Sequence, residues 1–201
     1  MRMLTLFAMF VAALSVLADD NAPAAIGGPA DEAERPGESN ISHNYLVNGS
    51  FDDPDFQQRE LKNYDGVDVA YDCSSLLGWA VETAGVRNGI VEILSREDTD
   101  GRYARMRHYT LDGWARITLT AKATGLVPGH EYMLDMYVCH SYVESNYWAN
   151  PDHGFKIYGE DGKLLNFNHS ISTGDDWQYL RYAFTPDGDE ITLELWSQNY
   201  N

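Results

Sequence analysis

Four stretches of this chain set a large aromatic ring two positions from a charged side chain: Trp114 and Arg116, Asp135 and Tyr137, Tyr179 and Arg181, Glu194 and Trp196. On a β-strand a spacing of two puts both members on one face. The combination fits saccharide recognition. A sugar ring offers an apolar C–H face that a flat aromatic covers, and a rim of hydroxyls that charged donors and acceptors orient. These eight residues are the first candidates for a shallow ligand groove. Tyr147 and Trp148, adjacent in the polar loop Tyr142–His153, are candidates for a second platform at a rim where recognition loops commonly sit. The bland reading of any one ring is a plug under a loop. Several rings left exposed without use would be a liability.

Catalysis has weaker support. A glycosidase needs two carboxyl groups about 5 to 10 Å apart across a bound sugar, and the sequence marks out no such pair. It contains no GxSxG, HExxH or CxxC spacing. Nothing in the sequence brings His140, Asp152 and His153 together as the three protein ligands that a metal site needs. The expectation is a binding protein and not an enzyme, with a jelly-roll glycan hydrolase or lyase as the distant alternative. Fourteen Lys and Arg against 31 Asp and Glu give a net charge of −17 without a basic run, which speaks against nucleic acid.

The elements that must carry these residues follow from periodicity. Residues 1–18 read as a secretory signal peptide, with Arg2 at the start, an apolar stretch from Leu4 to Leu17 and small residues toward Ala18. That stretch is shorter than the roughly 20 residues of a spanning helix, so no membrane span is expected. Residues 19–43, rich in Ala, Gly, Pro and acids, read as a disordered acidic linker. Residues 44–201 form the domain. Alternation dominates there, punctuated by Gly, Asp, Asn and Pro, and predicts nine strands: Tyr45–Phe51, Trp79–Thr83, Gly89–Leu94, Tyr103–Tyr109, Trp114–Ala121, Glu131–Cys139, Gly154–Tyr158, Trp177–Phe184 and Glu190–Ser197. The fold class expected is all-β, a two-sheet antiparallel jelly-roll sandwich. Parity assigns Ile117, Leu119, Leu134, Met136, Leu193 and Leu195 to the core, and the ring and charge pairs to outer rows. Cys73 and Cys139 could be bridged in an exported protein or stay free. Asn40, Asn48 and Asn168 head Asn-X-Ser triplets.

The order of motifs resembles the carbohydrate-binding modules grouped with families 4, 9 and 22, which are galactose-binding-like jelly rolls. Asn44-Tyr45-Leu46-Val47-Asn48-Gly49-Ser50-Phe51, Gly78-Trp79, the run from Leu126 to Tyr137 and the run from Trp177 to Phe184 carry the resemblance. It implies a secreted, monomeric, non-catalytic module that docks a poly- or oligosaccharide. It also implies a structural calcium near the first strand, for which Asp52 and Asp53 are the candidates; otherwise Asp52, Asp53 and Asp55 make an acidic turn around Pro54. The chain departs from the family pattern at its end, where no Phe-Asp-Asp-Val-like segment follows Trp196. A structural or adhesive sandwich without a sugar ligand is the competing reading, since one fold serves many roles.

Overall fold

The computed structural model describes residues 5–16, 44–64, 67–85, 89–95, 101–109, 114–142, 150–169 and 177–200, and no helix occurs among them. In chain order the strands are β1 Thr5–Val16, β2 Phe56–Tyr64, β3 Val67–Leu76, β4 Trp79–Gly85, β5 Ile90–Ser95, β6 Arg102–Tyr109, β7 Ala115–Thr124, β8 Tyr132–Tyr142, β9 Asn150–Gly159, β10 Leu164–His169, β11 Gln178–Phe184 and β12 Glu190–Tyr200. They make two antiparallel sheets. The larger has the order β10-β9-β12-β7-β4-β3-β2, and the smaller the order β11-β8-β1-β6-β5.

The architecture is all-β and sandwich-like because both sheets turn an apolar row toward one shared core. From the larger sheet come Ile117, Leu119, Ala121, Phe155, Ile157, Ile191, Leu193 and Leu195; from the smaller come Val91, Ile93, Ala104, Met106, Leu134, Met136 and Val138. Each row occupies every second residue, as a pleated strand requires. The parity assignments for β7, β8 and β12 therefore hold, and eight of the nine expected strands are present.

The ninth, Tyr45–Phe51, is corrected. Leu46 makes one isolated bridge to Ala123, and the chain then turns. Asn48 (φ 53°) and Phe51 (φ 60°) adopt left-handed backbone, which ends any ladder there. The turn is a built knot: the Asn48 carbonyl accepts the amide of Phe51 and the indole Nε1–H of Trp79, both at 3.1 Å. Phe51 is fully buried with its ring 5.1 Å from Trp79. Gly78 (φ 78°) passes so close to Val47 that a β-carbon would strike the Val47 carbonyl, so Gly78-Trp79 and Asn48-Gly49-Ser50-Phe51 form one device.

Four strands were not anticipated. Strand β2 is mostly polar, β3 and β10 alternate weakly, and β1 lies inside the apolar stretch read as a leader. Thr5–Val16 is the middle strand of the smaller sheet, paired with β6 on one side and β8 on the other. The opposite edge of that sheet, β5, is closed by a side chain: the Gln58 amide donates to Ile93 O at 3.3 Å and accepts from Ile93 N at 2.8 Å. This imitates a paired strand and blunts an exposed edge.

Beside it lies a buried charge cluster. Glu92 contacts Arg105 Nη2 at 2.5 Å and Arg107 Nε at 3.5 Å, and its other oxygen accepts the backbone N–H of Tyr71 at 3.1 Å. Cys73 and Cys139 are both buried, and no disulfide joins them. Burial pushes the Cys73 thiol above its ordinary pKa.

Candidate functional site

The eight ring and charge candidates do not share one groove. They divide between the outer faces of the two sheets, because β8 and β11 belong to one and β7 and β12 to the other.

On the smaller sheet the register sets Tyr179 opposite Tyr137 and Arg181 opposite Asp135. The Tyr137 and Tyr179 rings are 45% and 47% exposed, with centroids 5.1 Å apart and planes tilted by 42°. Asp135 is only 5% exposed. Its Oδ1 accepts both the Tyr179 hydroxyl and Arg181 Nε at 2.6 Å, and its Oδ2 accepts Arg181 Nη2 at 3.3 Å. The Arg181 guanidinium carbon also stands 5.6 Å from the Tyr179 ring centre. Desolvation, reinforced by the hydrogen bond to Asp135, raises the Tyr179 phenol above its ordinary pKa, so it stays a donor at neutral pH. The Arg181 guanidinium is likewise raised, by its hydrogen bond to Asp135. The exposed Tyr179 ring thus rests on a fork of fixed polar groups, and Tyr137 packs against it.

Two further rings on this sheet escaped the sequence reading. Tyr103 and Trp177 meet edge to face at 5.5 Å. They belong to β6 and to the residue before β11, with β8 and β1 between those strands in the sheet. Tyr103 alternates with the buried Ala104, so the contact spans the outer face. Aromatic type at an outer-row position was the available signal. What periodicity could not supply was that β6 and β11, distant in sequence, would lie three places apart in one sheet.

On the larger sheet the candidate residues serve mostly one another. Glu194 Oε1 holds Arg116 Nη2 at 2.6 Å and Lys156 Nζ at 3.6 Å. Trp196, expected as an exposed platform, is 2% exposed, and this corrects its assignment. Its ring lies over Gly154, where a β-carbon would come within 3.1 Å of the indole, and packs against His169 at 5.2 Å and the Arg116 guanidinium at 5.5 Å. Its Nε1–H has no hydrogen-bond partner. Trp114, just before β7, is exposed. Tyr147 and Trp148 lie outside the described residues.

The calcium candidates are engaged otherwise. Asp52 Oδ1 accepts the Arg102 backbone N–H at 2.7 Å, and Arg102 Nη1 reaches the carbonyls of Asp52 and Asp53 at 3.2 and 3.4 Å. A guanidinium stands where a bound cation would need those oxygens, so this donor set does not fit Ca²⁺. Asp53 Oδ1 instead accepts the amide of Asp55 at 2.8 Å, the acidic-turn alternative. Among the described residues no cluster of three His, Cys, Asp or Glu is arranged to hold a metal. His153 faces inward and Asp152 outward, as neighbours on a strand must. A depression of about 340 Å³ at the β9–β10 turn is lined by Glu160, Asp161, Asp187 and Gly188, and has no ring on which a sugar could stack. No described helix is long and apolar enough to cross a membrane.

No protein-family model matches the chain, and comparison with curated proteins finds no match.

Proposed function

We propose that the protein is a secreted, non-catalytic glycan-binding module of galactose-binding-like jelly-roll type. In this reading a poly- or oligosaccharide docks on the outer face of the smaller sheet. The observation that carries it is the exposed Tyr137–Tyr179 pair beside the ion pair of buried Asp135 and exposed Arg181. Neither ring is needed for the core, Tyr179 is held by its hydrogen bond to Asp135 with Tyr137 packed against it, and the exposed Arg181 beside them is a charged group suited to sugar hydroxyls. Prior fixing of the rings lowers the ordering cost of binding. The groove is shallow, so affinity is modest, and an extended saccharide that spans several rings binds better than a monosaccharide.

Glycan arrays and affinity electrophoresis on a polysaccharide panel test this. Binding by the wild type that is weakened in Tyr137→Ala and Tyr179→Ala, and retained in Trp114→Ala, supports the site. Binding unchanged in both tyrosine variants overturns it. The competing reading, an adhesive or structural sandwich without a sugar ligand, draws on Trp196, whose ring is covered by the chain's own His169 and Arg116. It predicts no binding on any glycan panel.

A further inference from the structure

Among the described strands, β1 alone joins the two halves of the smaller sheet: β8 and β11 lie to one side of it, β6 and β5 to the other. Its register runs from Leu6↔Tyr142 to Val16↔Tyr132 along β8, and from Thr5↔Tyr109 to Phe10↔Ala104 along β6. The same residues, Thr-Leu-Phe-Ala-Met-Phe-Val-Ala-Ala-Leu-Ser-Val, contain no charge and no proline and read as part of a leader that ends near Ala18. Removing them leaves two ladder edges facing each other across about 10 Å, two strand spacings. The gap lies beside Ala104, Met106, Leu134, Met136 and Val138, all fully buried in the core. Unsatisfied edges over an apolar floor are a template for an added strand.

We propose that the exported chain is a strand acceptor: the slot between β6 and β8 takes an extended apolar segment of a partner protein, antiparallel to both strands, in place of Thr5–Val16. The slot itself defines the partner. Its inserted segment is about ten residues long, lacks proline, and is apolar at the alternate positions that fall opposite Leu134, Met136 and Val138. Positions opposite Asp135 and Tyr137 fall on the outer face and accept polar residues. The proposal rests on the leader reading of residues 1–18 and is independent of glycan binding.

The experiment begins with the full chain. Met9 is in register with Cys139, so a Met9→Cys variant forms a disulfide with Cys139 under mild oxidation; absence of that cross-link overturns the slot. N-terminal sequencing of the exported chain that starts near Asp19 supports removal of the occupant, and a start at Met1 overturns the proposal, since the strand is then retained in cis. A protease site inserted after Ala18 in the full chain allows β1 to be cut and challenged with a labelled Thr5–Val16 peptide. The expected result is saturable one-to-one exchange, a Tm of the cut chain that rises with peptide concentration, and at least tenfold weaker binding of a peptide with Ala12→Pro, which lacks a ladder N–H. No exchange, equal binding of the proline peptide, or unchanged amide protection of 102–107 and 132–139 after loss of β1 overturns it, the last because β6 and β8 have then closed on each other.

Discussion

Tyr179 donates its hydroxyl to Asp135 Oδ1 at 2.6 Å, and that oxygen also accepts Arg181 Nε at 2.6 Å. A carboxylate this buried is tolerated only with its acceptor sites filled. The consequence reaches the surface: the hydrogen bond fixes the plane of an exposed ring, and Tyr137 packs against that ring.

The platform should separate from the fold. Tyr137→Ala is expected to lower glycan affinity about fivefold, near 1 kcal/mol for one lost aromatic contact. Because Tyr137 is so exposed, stability should change by about 0.5 kcal/mol or less. Titration calorimetry against the best glycan, beside a denaturant melt, checks both.

The hydroxyl of Tyr179 should matter to stability below its own titration. Its pKa is raised in the folded state, by desolvation first and then by Asp135. The contact made by the protonated phenol is therefore fully present below the ordinary tyrosine value of about 10 and is lost as pH rises through the higher folded value. The Tm difference between wild type and Tyr179→Phe should stay constant through neutral pH and narrow only in strong alkali. A difference that vanishes between about pH 6 and 8, well below tyrosine's ordinary range, contradicts the assignment.

Trp196 should behave as a core residue despite its outer-row parity. Trp196→Ala is expected to destabilise by about 3–5 kcal/mol, as for other buried aromatics. Trp196→Phe should cost less, since it also removes an indole N–H that has no partner. Chemical denaturation orders the two, and glycan affinity of the folded Phe variant should equal that of the wild type.

The Glu92 cluster predicts a large loss from a small change. Glu92→Gln leaves Arg105 and Arg107 facing a neutral group in a buried site, with an expected cost of about 3–5 kcal/mol. Circular dichroism melts of the variant at low and high salt test it. The loss should persist in salt, because buried pairs are poorly screened.

The Cys73 thiol should be slow to react. Cys73 is buried with a raised pKa, and its Sγ–H lies 3.3 Å from the Ser75 carbonyl. Alkylation at neutral pH should follow the fraction unfolded across a denaturant series; fast labelling in native buffer would contradict this.

Eight of the strands, and the inward rows of β7, β8 and β12, were legible because alternation is a local property that any two neighbouring residues express. The Asn48 knot was visible only as a motif. Its residues were read as a strand since nothing local announces that Asn48 and Phe51 take left-handed backbone to reach Trp79. Strand β2 could not be read because its pairing with β3 outweighs a polar sequence, and Asp52 looked like a cation ligand until Arg102, fifty residues on, was beside it.

By itself the sequence determined the β class, which side chains face inward, and that rings and charges alternate on the outer rows. Only the tertiary structure decided that Tyr137 and Tyr179 are neighbours while Trp196 lies on the other sheet beneath Arg116 and His169. The reason is physical: parity is a property of one strand, whereas exposure depends on which strands are joined by hydrogen bonds and on what long side chains from those neighbours cover.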